Sequence, residues 1–289
     1  MTSLSLFFRR SVVRMAGIAA SALLLAAPAL LAQRLPTNAL PEHYTLRLTP
    51  DLDKATFSGD ETIDVTLAQP ADSITLNALE IQFQSVTAKA GKRGMKADVS
   101  LDAAKQQATC KWPGTLPAGP VTLKIAYMGI LNNKLRGFYL SKAEGRRYAV
   151  TQFESTDARR AFPSFDEPAF KATFDVTIVA PKDDMVISNT NVISDTAGPA
   201  VGEHTVTFAR TPKMSTYLLA FLVGNFKCIE GSSDGVPIRA CTTPERVQYA
   251  HFALESAEYI LHYYDNYFGI KYPMPKLDMI PRIRQAPAR

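Results

Sequence analysis

Thr-Gln-Phe-Glu-Ser-Thr-Asp-Ala-Arg-Arg-Ala-Phe-Pro-Ser-Phe-Asp-Glu-Pro-Ala-Phe, residues 151–170, is the stretch with the most unusual combination of residues in the chain. It starts like a strand, in which Gln152 and Glu154 are two residues apart and so project from one face. Pro163 and Pro168 fix the backbone and favour extended geometry in the residues before them. We therefore predict a rigid, non-repetitive segment that carries acids at the end of a β-rich region.

Alternating apolar and polar residues predict strands on both sides of this segment. The alternation is clearest in residues 61–67, where Ile63, Val65 and Leu67 are separated by polar residues. Because no helical pattern separates the strands, we expect a mainly β fold with antiparallel sheets. The predicted strands are 44–49, 61–67, 73–76, 79–88, 97–101, 121–128, 147–153, 174–180, 186–192, 203–208 and 218–223, and residues 131–139 resemble a loop.

Residues 224–242 have the pattern of a hairpin. If the Asp-Gly pair at 234–235 forms a two-residue turn, Cys228 lies opposite Cys241. A cross-strand disulfide between them is one hypothesis for an oxidising compartment. The alternative is two ordinary strand cysteines in a different register. Cys110 is left unpaired in the first case.

The first helical pattern follows this hairpin. Thr243 and Pro244 are typical of a helix start and Gly269 of a helix end. Apolar residues at helical spacing between them predict a helix over residues 246–268. We interpret this helix as the start of a second domain, because its apolar face needs a partner to cover it.

The first 32 residues have the layout of a secretory signal. Three arginines precede an apolar run, 15–32, that ends in small residues. We predict a cleaved signal peptide over residues 1–32 and a periplasmic or secreted mature chain. An uncleaved membrane anchor is the alternative. No later segment is long and apolar enough to span a bilayer, so no membrane contact is expected after cleavage.

The formal net charge of +5 comes from the two ends of the chain. Three arginines among residues 1–14 and three among residues 282–289 have no acidic neighbour. When these six are set aside, the formal charge falls from +5 to −1. The body of the chain is therefore near neutral, and nucleic acid is not an expected partner.

Few residues have the spacing of a catalytic or metal site. The sequence contains no His-Glu-x-x-His, no Gly-x-Ser-x-Gly and no phosphate-binding loop, so no catalytic or metal residue is assigned. Gln152 and Glu154 remain as candidates, because a carboxylate beside an amide can hold an ammonium group by charge-assisted hydrogen bonds. The alternatives are a solvated carboxylate, or an ion pair of Glu154 with Arg159 or Arg160.

Four segments in order resemble the N-terminal part of zinc aminopeptidases related to aminopeptidase N, the gluzincins with a thermolysin-like catalytic domain. They are 151–170, 186–192, 211–224 and 272–278, and the resemblance covers about residues 34–280. It implies a large, saddle-like antiparallel β domain at 33–228, followed at 229–280 by the first hairpin and helix of an incomplete catalytic domain. It also implies that Glu154 and Gln152 bind the free α-amino group of a peptide substrate.

The resemblance ends near residue 280. The family's Gly-Ala-Met-Glu-Asn motif, its His-Glu-x-x-His zinc ligands and its oxyanion tyrosine have no counterpart here, and the basic tail 281–289 resembles nothing in the family. Zinc belongs to the complete family enzyme and is not expected to bind this chain. We therefore expect the N-terminal portion of a secreted zinc aminopeptidase, a fragment or frameshifted product inactive by itself. The alternative is a non-catalytic β-rich module that binds peptide N-termini.

Overall fold

Strands make up most of the regular structure in the computed structural model, which describes residues 34–281 and, at Arg93, the backbone only. The fold is mainly β, as predicted. The expected signal peptide, 1–32, and the tail from residue 282 onward lie outside the described residues.

The strands follow one another along the chain, with one α-helix near the end of the described part. They are β1 (Ala39–Asp51), β2 (Thr56–Leu67), β3 (Ala71–Asn77), β4 (Ile81–Ala90), β5 (Arg93–Lys96), β6 (Asp98–Asp102), β7 (Gln107–Leu116), β8 (Gly119–Ile130), β9 (Gly137–Ala143), β10 (Arg146–Gln152), β11 (Thr173–Pro181), β12 (Met185–Ser188), β13 (Val192–Ala197), β14 (Glu203–Phe208), β15 (Phe221–Gly224), β16 (Lys227–Ser233), β17 (Val236–Thr242) and β18 (Leu277–Met279), with helix α1 (His251–Phe268) before β18. Short 3-10 helices cover Ala158–Arg160, Thr216–Leu218 and Pro244–Tyr249.

The largest sheet has eight strands in the order β13-β14-β11-β1-β2-β8-β4-β5, and a three-stranded sheet has the order β3-β7-β6. One hydrophobic cluster contains inward residues of both sheets, such as Ile63, Leu123 and Trp112. Within these two sheets the pairing is antiparallel except between β1 and β11, which run parallel. This pair was not expected, because β11 returns to β1 only after a long excursion through residues 52–172.

Several strands were missed in the sequence, and β7 and β9 are the longest of them. Strand β7 contains Pro113 and Gly114, which usually interrupt strands, and its pairing with β3 is irregular between Ala71 and Ser73, which lets the proline stay in the strand. Strand β9 includes part of the segment expected to be a loop, because Phe138 and Tyr139 are buried there.

Two smaller sheets remain, and the second of them contains the hairpin. The order is β12-β15-β10-β9 in a four-stranded sheet and β16-β17-β18 in a three-stranded sheet. Strand β18 runs parallel to β17, and Arg239 donates two hydrogen bonds to the Asp278 carboxylate, at 2.7 and 2.9 Å. Lys276 donates to the Ser188 carbonyl oxygen at 2.6 Å and also contacts Asp278. This ion-pair network fixes the last described strand to the rest of the protein.

The predicted helix is present but starts later than expected. Thr243 has extended backbone geometry and makes no side-chain cap, and residues from Pro244 form a 3-10 helix before α1 begins at His251. A 3-10 turn is a common entry to an α-helix. Gly269 ends α1 in the left-handed region, with φ of 65°, as its position predicted.

One side of α1 packs on the hairpin, and the other presents aromatic residues. Leu254, Ala257 and Leu261 form a small cluster with hairpin residues. Six aromatic side chains of the helix are exposed, namely Phe252, Tyr259, Tyr263, Tyr264, Tyr267 and Phe268. Within residues 34–281, no helix has the length and apolar character that crossing a membrane requires.

The hairpin has the register that an Asp-Gly turn dictates. Cys228 lies directly opposite Cys241, with Cα atoms 4.0 Å apart, and the two sulfurs form a disulfide. Cys110 is buried and unpaired, and burial raises the pKa of its thiol to about 12, with a further contribution from Glu61. It is therefore protonated and unreactive at neutral pH.

Removal of the disulfide is expected to destabilise the protein measurably. Its two cysteines are 13 residues apart, and closure of a loop of this size contributes about 3 kcal/mol in the chain-entropy account. Urea denaturation of a double variant, Cys228→Ser with Cys241→Ser, should show this loss, and dithiothreitol should then have no further effect. Mass spectrometry of the unreduced wild type that found both thiols free would contradict the assignment.

Candidate functional site

Gln152 and Glu154 lie where β10 ends, but only Gln152 belongs to the strand. Gln152 is the last strand residue and is half-buried, and the buried Phe153 follows it. Glu154 lies in a turn and is exposed, and its peptide bond to Ser155 is cis. The expectation that strand geometry places both side chains on one face is therefore wrong at Glu154.

A backbone hydrogen bond closes the turn that carries Glu154. The Asp157 N–H donates to the Phe153 carbonyl oxygen at 2.9 Å. Phe153 packs against Phe162 and Phe221, with ring centroids 6.0 and 5.7 Å apart, which fixes the start of the turn in the core. The exposed Glu154 thus lies in a turn whose preceding residue, Phe153, is anchored in the core.

Both arginines of the segment have partners other than Glu154. Arg159 Nε donates to Asp166 Oδ2 at 2.9 Å. Arg160 Nε donates to Asp157 Oδ1 at 2.7 Å, and its Nη1 lies 2.7 Å from Glu80 Oε2. The structure thereby excludes the alternative in which Glu154 neutralises one of these arginines. Among residues 34–281, the side chains of Glu154 and Gln152 have neither a hydrogen-bond nor an ion-pair partner.

The other acids of the segment are structural. Asp166 is only 1% exposed, and its second oxygen, Oδ1, accepts a hydrogen bond from Thr216 Oγ1 at 2.6 Å. Its backbone N–H donates to Asn77 Oδ1 at 3.1 Å. Glu167 Oε1 accepts a hydrogen bond from the Leu35 N–H at 2.6 Å. These carboxylates hold loops of the protein together.

The strand next to β10 completes the surroundings of the candidate pair. Gly137 is the cross-strand neighbour of Gln152 and has a positive φ of 68°. A Cβ at this position would come within 2.6 Å of Arg160 Cβ, so only glycine lets the Arg160 side chain lie against the strand. In the sequence, a glycine that follows a polar loop could have indicated this close contact, but the role of Gly137 was not predicted.

The side chains of Gln152 and Glu154 offer hydrogen-bond acceptors, and no cationic side chain among residues 34–281 pairs with them. A carboxylate and an amide oxygen both suit an ammonium group, which has three N–H donors and no acceptor. The described residues around the pair contain no arrangement of nucleophile and base that would cleave a bond. The two side chains therefore have the chemistry to bind a cation.

The described residues do not provide a zinc site. No three side chains of His, Cys, Asp or Glu come together among residues 34–281 in a way that could hold a metal ion. Three histidines each contact one aspartate and no third ligand, in the pairs His43–Asp175, His204–Asp195 and His262–Asp234. Structural zinc requires four protein ligands and catalytic zinc three, so none of these pairs forms a zinc site.

Comparison with known proteins identifies relatives across most of the chain. The family model described as the peptidase M1 N-terminal domain matches residues 40–218. An aminopeptidase N of Acetobacter pasteurianus is 37% identical over 254 residues, which is 86% of this chain and 70% of that protein.

Eukaryotic relatives match the same part of the chain. A puromycin-sensitive aminopeptidase of Caenorhabditis elegans is 40% identical over 256 residues, and aminopeptidase 2 of Candida albicans is 41% identical over 251 residues. These matches cover 86% and 85% of this chain. The chain spans only 27% of the length of each of these two relatives.

Proposed function

Because this chain belongs to the peptidase M1 family, whose N-terminal domain it contains, we propose that it forms the amine-binding part of a zinc aminopeptidase that removes N-terminal residues from peptides. The observation that carries the proposal is Glu154, which is exposed at the end of β10 and has no partner among the described residues, while both nearby arginines are paired elsewhere. Gln152, the last residue of β10, supplies the second acceptor.

The proposed role of the pair is to hold the α-ammonium group of a peptide. Glu154 accepts a charge-assisted hydrogen bond, and the Gln152 amide oxygen accepts a second one. Such capture selects a free N-terminus over an internal peptide bond, because an acylated amine carries no charge. It also fixes the distance from the N-terminus to the first peptide bond, which orients that bond for cleavage.

Hydrolysis itself is assigned to residues that the described part does not supply. The sequence lacks His-Glu-x-x-His, and residues 34–281 contain no cluster of three metal-ligating side chains. We therefore propose that this chain by itself does not hydrolyse aminoacyl substrates. Metal-dependent release of a dye from an aminoacyl conjugate by the purified chain would contradict this.

Two further expectations belong to the same proposal. The layout of residues 1–32 supports secretion to the periplasm or the exterior, with the signal removed. The exposed aromatic side of α1 supports the assignment of residues 229–280 to the start of a catalytic domain, because aromatic residues in this number normally contact protein.

The amine-binding role predicts that the chain prefers ligands with a charged amino group. We expect leucinamide, which has a free α-ammonium group, to bind the full chain in nuclear magnetic resonance titrations at millimolar concentration, and N-acetyl-leucinamide not to bind. Glu154→Gln should weaken leucinamide binding about tenfold or more, the loss expected for one hydrogen bond to a charged group. Glu255→Gln, which changes an exposed carboxylate on α1, serves as the matched control. Equal affinity of the Glu154→Gln variant and the wild type would refute the role.

A second candidate function is a non-catalytic module that captures peptide N-termini. The accessibility of the Glu154 carboxylate in this chain favours it, because binding does not require the missing zinc ligands. Tight binding of peptides by the chain alone, at micromolar concentration, would support the module over the aminopeptidase portion.

A further inference from the structure

We propose that Arg160 is the positioning residue that fixes Gln152 and Glu154 relative to each other, an inference that rests on the amine-binding role proposed above. Arg160 is 9% exposed and does not face solvent beside the pair. Its side chain contacts both the turn that carries Glu154 and the strand beside Gln152.

The first support is the turn that carries Glu154. Arg160 Nε donates to Asp157 Oδ1 at 2.7 Å, and the Asp157 N–H closes the turn by donating to the Phe153 carbonyl oxygen. The hydrogen bond from Arg160 therefore restrains Asp157, the residue whose backbone closes this turn. Since Glu154 lies inside the turn, its backbone position depends on this hydrogen bond.

The second support is the strand beside Gln152. The aliphatic part of Arg160 lies against Gly137, the direct cross-strand neighbour of Gln152. A larger residue at position 137 or a displaced Arg160 would shift this end of β9. The same side chain thereby sets the strand end at Gln152 and the turn at Glu154.

A third contact anchors Arg160 itself. Its Nη1 lies 2.7 Å from Glu80 Oε2, and Glu80 Oε1 accepts a hydrogen bond from Lys134 at 3.0 Å. A guanidinium group reaches two carboxylates in different directions with a planar, rigid set of donors, whereas a lysine ammonium is a single point charge on a flexible stem. The arrangement thus requires arginine.

The test uses the full 289-residue chain with Arg160→Gln and Arg160→Lys, and Lys134→Met as the matched control. The control removes the other partner of Glu80 but leaves the Arg160–Asp157 bond. We expect Arg160→Gln to weaken leucinamide binding about tenfold, Arg160→Lys to restore part of it, and Lys134→Met to leave it unchanged. A merely structural role would lower thermal stability without changing the preference for leucinamide over N-acetyl-leucinamide.

Amide hydrogen exchange provides a readout that does not depend on a ligand. Arg160→Gln should accelerate exchange at residues 153–157 and leave the amides of β1 and β2 unchanged. Unchanged exchange at 153–157, or wild-type leucinamide affinity of Arg160→Gln, would overturn the inference. If Arg160→Gln does not fold, Asp157→Ala replaces it, because that variant removes the acceptor on the turn and leaves Arg160 beside Glu80. If the wild type binds no leucinamide, the proposed function fails, and exchange at 153–157 alone decides the inference.

Discussion

Asp166→Ala is expected to lower the free energy of unfolding by about 3–5 kcal/mol, the usual cost of leaving a buried charge without its partner. The carboxylate is 1% exposed and holds Arg159 Nε at 2.9 Å. Arg159 Nη2 also donates to the Asp166 carbonyl oxygen at 3.0 Å. Without the carboxylate, the buried guanidinium group keeps only neutral acceptors, the residue-166 carbonyl oxygen and Gln106 Oε1, and Thr216 loses its acceptor. Urea denaturation monitored by circular dichroism measures the loss.

Two further variants identify the physical cause. Asp195→Ala removes an exposed carboxylate whose partner is His204, so its effect should stay below about 1 kcal/mol. A double variant, Asp166→Leu with Arg159→Met, should recover much of the lost stability, because apolar residues of similar volume often replace a buried ion pair without cost. If Asp166→Ala is as stable as Asp195→Ala, the buried ion pair does not stabilise the segment.

Glu61→Gln is expected to make the protein more stable than the wild type at pH 8 and to flatten its stability profile above pH 5. Glu61 is buried, and neither of its carboxylate oxygens has a hydrogen-bond partner among residues 34–281. Burial raises the pKa of this carboxyl well above 4.5, its ordinary value in an unfolded chain. The folded state therefore keeps the proton while the unfolded state loses it. Stability is then greatest below pH 4.5 and falls by about 1.4 kcal/mol per pH unit until the folded pKa is reached.

The neighbouring acid on the same strand provides the matched control. Asp60 points to the opposite, solvent-exposed face of β2, so Asp60→Asn should leave the pH dependence of the wild type unchanged. The difference in unfolding free energy between Glu61→Gln and the wild type is measured from pH 5 to pH 8, and other acids contribute equally to both proteins. A difference that does not grow with pH would show that Glu61 is solvated or paired.

Local patterns were sufficient for much of the fold. The period of two in residues 61–67 predicted which side of β2 is buried, since Ile63, Val65 and Leu67 are all in the core. The Asp-Gly pair at 234–235 predicted the register that places Cys228 opposite Cys241. These features depend on residues close in sequence, so a single chain reveals them.

The candidate site was only partly predictable. The resemblance pointed to Gln152 and Glu154, but the end of β10 at Gln152 and the partner of each arginine depend on distant residues. Arg160 contacts Glu80, which is far away in sequence, and Arg159 contacts Asp166 only because the segment folds back on itself. No pattern in the sequence distinguishes a buried ion pair from an exposed one.

The sequence by itself determined the β character of the chain, the hairpin register, the end of the helix at Gly269 and the family resemblance, because backbone torsions and alternation of polarity are local properties. Only the tertiary structure decided that Glu154 has no partner among the described residues, that Glu61 is enclosed without an acceptor or donor, and that β11 joins β1 in parallel. These properties arise from contacts between residues far apart along the chain. These contacts determine which side chains are buried and which charges are paired, and so which carboxylate of the segment stays accessible.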